Sequence, residues 1–318
     1  MKVGYYMSNR VHIICHPDSG GGQGEIALKE VIAVLSGFQL EFIIYTTDYM
    51  THAKTITEQI ITRGGKPYQD YLLVIGGDGT LNEVVSTLYL AKRDIPIAYV
   101  PAGTGNSFHE SFQPDKTTRQ IIECMLFERN PKRIPIYTYN ESVTRQKGII
   151  LNTLGFGFDA IINQKGRQVF NHSILKKFNL YSLAYFIAIF QKLNQMPHFD
   201  ITVEADGQTF FIKNCSVASV VNPATVSGVI HLDKNYQAKE GELSLILYHD
   251  IDKQALTDIL PRILWKHNLS QSPYTTRINA KSLSFKLLTP ALGHVDGELL
   301  GEIEGQVSFG IVSYPFYI

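Results

Sequence analysis

The chain of 318 residues is 44% hydrophobic and 18% charged, and 29 basic side chains balance 29 acidic ones to a formal net charge of zero. Such a length points to two domains, and the charge balance argues against the broad basic footprint of a nucleic-acid binder. No apolar run is long enough to span a bilayer, and the opening MKVGYYMSNR lacks the apolar core of a secretory signal. Cys15, Cys124 and Cys215 are too scattered for a metal site or a disulfide framework. Each reads as a small buried hydrophobe in a reducing cytoplasm.

Val11–Cys15 is a short apolar run that ends in His16, Pro17, Asp18 and Ser19 and a loop holding Gly20, Gly21, Gly22 and Gly24. Leu28, Val31, Ile32 and Leu35 then recur at helical spacing. The unit reads as strand, glycine loop, helix. It is not a Walker loop, because no GK[ST] closes it, and its glycine spacing is wrong for a dinucleotide fingerprint. Leu40–Tyr45 predicts a second strand, ended by Thr46, Thr47 and Asp48, and Thr51–Thr62 a helix with Ala53, Ile56, Ile60 and Ile61 on one side.

The stretch YLLVIGGDGTLN repeats the arrangement. An apolar strand, Tyr71–Ile75, reaches Gly76, Gly77, Asp78, Gly79 and Thr80, and Leu81, Val84, Val85 and Leu88 follow as a helical stripe. Glycines let backbone N–H groups approach a bound group that a Cβ would hold off. The helix start, with Thr80 at or near its cap, favours negative charge. A carboxylate in such a turn would repel a phosphate unless a cation or water stood between, so Asp78 suggests a bridged phosphate. The plain alternative is a tight turn whose Asp caps the helix. Ile95–Val100 predicts a fourth strand, running into Pro101, Ala102, Gly103, Thr104, Gly105 and Asn106. Strands alternating with helices imply a parallel sheet that binds ligands beyond the carboxyl ends of its strands. Three small-residue loops on that edge point to a nucleotide site. Thr118–Phe127 predicts one more helix, and Asn130–Pro135 a linker.

From Ile134 the alternation fades. Ile134–Tyr139 and Gly148–Leu154 read as strands and Gly155–Gly157 as a turn, after which Asp159 caps a helix or lines a cleft. Leu180–Leu193 predicts a helix with Leu180, Leu183, Ala184, Ile187 and Phe190 on one face, widened by Tyr181, Tyr185 and Phe186; it either packs on a sheet or meets a lipid chain. Asp200–Ala205 and Gln208–Lys213 flank Asp206-Gly207, a hairpin signal. Ser216–Val221, Gly241–Tyr248 and Ile278–Leu287, the last with one slip in its alternation, add strands. Ala255–Trp265 predicts a short helix interrupted by Pro261. An antiparallel sandwich is the economical picture. Gln306–Tyr317 predicts strands that return to the first domain, so that both domains bound the cleft.

The set HPDSG at 16–20, GGDGTLN at 76–82, PAGTGN at 101–106, NTLGFGFDA at 152–160 and HVDGE at 294–298 resembles the soluble diacylglycerol kinase and sphingosine kinase superfamily, with bacterial lipid kinases nearest in length and layout. The resemblance spans nearly the whole chain in order. It implies an α/β fold: an N-terminal parallel-sheet nucleotide domain like that of phosphofructokinases and NAD kinases (1–133, completed by 306–318) and a C-terminal antiparallel β-sandwich that takes the lipid (134–305). It also implies phosphorylation of a lipid hydroxyl with ATP and Mg2+, the lipid being reached from the cytoplasm at the inner membrane surface.

Carried over by position, His16, Pro17, Asp18, Ser19, Gly20, Thr47, Gly76, Gly77, Asp78, Gly79, Thr80, Leu81, Asn82, Thr104 and Asn106 fall on the nucleotide, and Gln237, Glu240 and Glu242 on a structural magnesium. The chain departs from the family at His16, usually Asn, at Ser107, where many bacterial members carry Asp, and at Glu240, usually Asp. An alcohol is a poor nucleophile at neutral pH, so a positioned carboxylate must take its proton as the phosphoryl group arrives. Asp296 and Glu298 are the candidate bases, beside Asp78; Asp296 also suits orienting the site or binding metal, and an Asp-Gly hairpin turn is the plain alternative. Diacylglycerol is the expected substrate. A sphingoid-base or polyol kinase, or a catalytically weak nucleotide-binding regulator, is the runner-up, and an edge strand of the sandwich is available for a homodimer.

Overall fold

The structure, a computed structural model, describes residues 10–49, 51–62, 70–128, 130–171, 181–222, 225–226, 230–231, 241–264 and 272–318. The chain divides into two compact units, Met1–Ile134 with Ser313–Ile318, and Pro135–Val312.

The first unit is built on four parallel strands, β1 (Val11–Cys15), β2 (Phe42–Thr46), β3 (Tyr71–Gly76) and β4 (Ile97–Pro101), in the order β2-β1-β3-β4. Phe316 adds a further parallel pairing with Ile97. β3 is apolar along its whole length and Leu72–Ile75 are all buried, as a strand covered on both faces requires. Between the strands run α1 (Gln23–Gly37), α2 (His52–Thr62), α3 (Asp78–Leu90), the short α4 (Ser107–Phe112) and α5 (Thr118–Phe127). Leu81, Val84, Val85 and Leu88, the stripe read from the sequence, are fully buried. Val31 and Leu35 of α1 and Ile121, Ile122 and Met125 of α5 close over Ile13, Leu73, Ile75 and Val100. The chain leaves β1 in one direction across the sheet to β2 and returns past it to β3. The carboxyl ends of β1 and β3 therefore flank the point where strand order reverses.

The second unit is mainly antiparallel. It holds β5 (Lys132–Glu141), whose start belongs to the first unit, β6 (Lys147–Ile150), β7 (Thr153–Gly157), α6 (Phe158–Asn171), α7 (Tyr181–Lys192), β8 (Phe199–Ala205), β9 (Gln208–Val221), the two-residue β10 (Thr225–Val226) and β11 (Ile230–His231), β12 (Leu243–His249), α8 (Lys253–Leu264), β13 (Thr275–Ala280), β14 (Leu283–Val295) and β15 (Glu298–Phe316), whose end belongs to the first unit. β7 and β8 occupy one lane end to end. Both lie between β9 and β14, β8 on Gln208–Cys215 and Leu283–Leu287, β7 on Val217–Val221 and Gly293–Val295. Phe156 and Phe285 meet edge to face at 5.5 Å within the core of this unit.

Several expectations change here. Gly148–Leu154 is two strands, broken at Leu151 and Asn152 because their amides donate to a side chain, Asp296, instead of a ladder. Gly155–Gly157 is strand, not turn. The slip within Ile278–Leu287 is a real break between β13 and β14, where the Lys281 and Ser282 amides bond Asp206. Conversely, Gln208–Lys213 and Ser216–Val221 form one strand, and α8 continues past Pro261 to Leu264, while Trp265 lies outside the described residues. On α7 the buried residues are Ala184, Ala188 and Ile189, against Phe158 and Ile162 of α6. Leu183 and Phe190, expected on its packed face, are 45% and 54% exposed. Leu180 and the side chains of Tyr181, Tyr185 and Phe186 lie outside what is described. Cys15 and Cys215 are buried, but Cys124 is only half-buried and faces the Lys116 ammonium at 3.1 Å. Asp206 and Gly207 both take positive φ (47° and 80°), the two-residue hairpin turn that their sequence demands.

Candidate active site

In the first unit three loops leave β1, β3 and β4 and meet. Gly20 has a φ of 57°, and a Cβ on it would run into the Ala102 carbonyl oxygen. A Cβ on Gly103 would stand 2.5 Å from the Gly77 Cα. The 16–24, 76–80 and 101–106 loops thus touch through main chain, which only glycine allows. Each is anchored from behind. The His16 N–H donates to Ile75 O (2.9 Å), the Ala102 N–H to Gly76 O (2.7 Å), and the buried Tyr99 hydroxyl also to Gly76 O (3.1 Å). His16 Nδ1 lies 2.7 Å from the hydroxyl of buried Thr47, whose N–H bonds Cys15 O, so two residues carried over to the nucleotide meet behind the first loop.

Gly77, extended, is the N-cap of α3, and Thr80 stands in the first turn, its Oγ1 2.7 Å from where a Gly76 Cβ would be. Asp78 opens α3, yet its carboxylate serves the next helix: Oδ2 accepts the Ser107 N–H (2.8 Å) and Oδ1 the Phe108 N–H (3.1 Å), the first two amides of α4. Its charge and, above all, burial push the Tyr99 hydroxyl pKa well up. Asn106 is a clamp. With φ at 51° it accepts the Gly103 N–H (2.8 Å) and donates to Gly103 O (3.0 Å), closing the loop on itself. Leu81 is wholly buried and its N–H is bonded to Gly77 O, so its side chain offers no surface to a ligand. Asn82 receives the Ser86 hydroxyl (3.2 Å). Pro17, Asp18, Gly79 and Thr104 lie on the same loops. Glu83, which no motif singled out, caps α2 through the Thr51 and Lys54 amides.

In the second unit Asp296 and Gly297 have φ of 46° and 86° and make the two-residue turn between β14 and β15. The hairpin reading of Asp-Gly is therefore geometrically right, and the Asp does more than turn. Its Oδ1 accepts the N–H of Asn152 (2.8 Å) and Thr153 (2.9 Å), and Oδ2 that of Leu151 (2.8 Å). Glu298, half-buried, opens β15. Asp159, in the first turn of α6, turns its carboxylate to His294 Nε2 (3.1 Å) and the Ser219 hydroxyl (2.8 Å). Burial works against its ionisation; the hydrogen bonds from the His294 ring and the Ser219 hydroxyl outweigh it and hold the carboxyl below its ordinary value. Of the expected magnesium residues, Gln237 and Glu240 lie outside the described residues, and the main-chain carbonyl of Glu242 accepts the Tyr137 hydroxyl (2.8 Å). Among the described residues no helix is long and apolar enough to cross a membrane.

Residues 10–138 match the family described as diacylglycerol kinase catalytic domain. Over these residues the chain is similar to that catalytic domain. The match takes in all three loops of the first unit and supports a phosphotransferase with an alcohol acceptor. Two curated relatives span most of the chain. A diacylglycerol kinase of Staphylococcus saprophyticus is 24% identical over 301 residues, covering 94% of this chain and 92% of the relative. Another, of Mycobacterium tuberculosis, is 21% identical over 258 residues, covering 80% and 78%. The fold is that of the crystal structure of a diacylglycerol kinase from Bacillus anthracis, with a TM-score of 0.66 at 16% identity over 98% of this chain and 96% of that one.

Proposed function

We propose that the protein is an ATP-dependent lipid kinase that phosphorylates the hydroxyl of diacylglycerol or a similar lipid alcohol at the cytoplasmic face of a membrane. The observation that carries this reading is the main-chain contact of Gly20 with Ala102 and of Gly77 with Gly103 beside the reversal point of a parallel sheet. Loops that glycine brings together present backbone N–H groups to a polyphosphate, and helix starts add positive potential. The NAD kinase-like nucleotide domain and the lipid-binding β-sandwich belong to the same proposal.

In the reaction the lipid O–H proton passes to a carboxylate as the alcohol oxygen bonds the terminal phosphorus, and the bond to the ADP oxygen breaks. Glu298 is assigned as that base. Asp296, with three amide donors on its oxygens, orients the turn. Hard oxygen ligands suit magnesium. Asp78 is the carboxylate of the first unit to serve it, and Gln237, Glu240 and Glu242 are proposed for a structural ion; a bound ion would neutralise triphosphate charge.

The test is to incubate the full chain with radiolabelled ATP, magnesium and mixed micelles of diacylglycerol, sphingoid base or a soluble polyol, and to look for labelled product. Label on diacylglycerol supports the proposal, and label on another alcohol alone reassigns the substrate. Nucleotide binding with no labelled product would favour the regulator, a reading that Ser107 keeps open.

A further inference from the structure

The Asp296-Gly297-Glu298 turn has a support that none of its own residues supplies. His294, fully buried three positions before Gly297, receives the Gly297 N–H on its Nδ1 at 3.1 Å. A backbone amide only donates, so Nδ1 must be unprotonated and the ring's single hydrogen must sit on Nε2. Nε2 lies 3.1 Å from Asp159 Oδ2, an acceptor, and the Ser219 hydroxyl donates to that same oxygen at 2.8 Å. The atom of Asn163 placed 3.3 Å from Nε2 is its amide Nδ2, also a donor, so this tautomer requires the Asn163 amide to be turned over with its oxygen toward the ring, an exchange of two atoms of nearly identical shape. An imidazolium would set a second donor against the Gly297 N–H.

The surroundings are shaped around this pair. A Cβ on Gly155 would collide with Asp159 Oδ2 and lie 2.7 Å from His294 Nε2. The glycine that the sequence suggested for a turn is instead the space through which β7 lets α6 reach β14. The chain of contacts runs Ser219, Asp159, His294, Gly297, one residue short of the proposed base.

We propose that His294 is a positioning residue for phosphoryl transfer: Asp159 fixes its Nε2–H tautomer, and its Nδ1 then holds Gly297 so that Glu298 keeps a single orientation. This rests on the reading of Glu298 as the base. A tautomer set by a hydrogen-bonded carboxylate and used by the opposite ring nitrogen is a recurrent device for orienting functional groups.

Two variants separate positioning from mere burial. Asn at 294 places Oδ1 where Nδ1 was and keeps an acceptor for Gly297, but does not reach Asp159. Gln reaches toward Asp159 and leaves Gly297 without its acceptor. In the full chain, His294→Gln and His294→Leu should lower kcat by roughly 10- to 100-fold, the scale of a displacement of about 1 Å at a reacting group, with KM for ATP within about twofold of the wild type. His294→Asn should recover kcat to within a few fold. The reverse ranking, or an unchanged kcat in His294→Leu, overturns the proposal.

Nitrogen-15 NMR of histidine-labelled wild-type protein should show a protonated Nε2 and a bare Nδ1 for His294. A proton on Nδ1 overturns the proposal even where a variant fails to fold. If the wild type labels no alcohol, or Glu298→Gln retains full activity, the kinase reading or its base has failed and the positioning role falls with it; the NMR result still tells that failure apart from a wrong tautomer.

Discussion

Gly77 and Gly103 pack main chain on main chain, so that a methyl group on Gly103 would lie 2.5 Å from the Gly77 Cα. No rotamer relieves such a contact, since both partners are backbone. Gly103→Ala should therefore separate the second and third loops and raise the dissociation constant of a fluorescent ATP analogue by about tenfold or more, the order expected when several oriented donors are lost. Tight binding by Gly103→Ala would show that the loops do not hold the nucleotide.

Asp78 joins two helices, and an amide in its place can accept with one oxygen only. Asp78→Asn should lose one of the α4 amide bonds and set a donor against the other, lowering stability in urea by roughly 1–3 kcal/mol. Kinase activity should fall further than this loss explains. A variant of unchanged stability would separate Asp78 from α4.

Asp296 and Glu298 should respond differently. Glu298→Gln is expected to keep the thermal midpoint and to lower kcat by roughly a hundredfold or more, the range of a lost general base. Asp296→Asn should be destabilised by about 1–3 kcal/mol, because the Leu151, Asn152 and Thr153 amides lose a charged acceptor. Equal melting curves for the two variants would contradict the division of labour.

The acid limb of the stability profile follows from two carboxyls. Asp159 is held below its ordinary value as described. For Glu141 burial again works against ionisation, and the Thr144 hydroxyl with the Val143, Thr144 and Arg145 amides outweighs it. A depressed folded pKa contributes stability that is present above the unfolded value, about 4, and lost as pH falls through the folded one. Asp159→Asn should flatten the fall in denaturation midpoint below about pH 4. An acid limb as steep as that of the wild type would show that this carboxyl is not linked to folding.

Thiol chemistry offers a check on burial. Burial pushes the Cys15 thiol up to about 11 and, with the nearby charges of Asp200 and Asp250, the Cys215 thiol up to about 12. At pH 8 only Cys124 should react with a disulfide reagent, and all three should react in denaturant. Fast labelling of Cys15 in the native protein would mean that β1 is not closed over by α1.

The first unit was legible because its signals are local: an apolar run, glycines, then a helical stripe, twice over, and a third apolar run that ends in glycines; only the short α4 that follows the third loop left no such stripe. The loops at 16–24, 76–80 and 101–106 converge as a parallel sheet requires, and Leu81, Val84, Val85 and Leu88 face inward as their spacing implied. The other half hides its structure in long-range polar contacts. Nothing near Leu151 announces that its amide is claimed by a carboxylate 145 positions later, so the break between β6 and β7 was invisible. Likewise Lys281 and Ser282 end β13 by bonding Asp206, 75 and 76 positions earlier. On α7, periodicity alone does not tell which of two apolar stripes is covered, and the small Ala184 and Ala188 won the interior over Leu183 and Phe190. His294 left only the faint sign of a histidine three places ahead of a glycine.

Phe316 pairs with Ile97, and the Tyr314 hydroxyl reaches back 219 positions to the Ile95 carbonyl. A ribosome that has made every strand from β1 to β4 has therefore not yet supplied this edge of their sheet. The intervening unit is synthesised first, so β4 must wait with that flank unpaired, an opportunity for mispairing or chaperone capture. A fragment stopping at residue 134 should inherit this vulnerability permanently, and adding the peptide 313–318 in trans should relieve it.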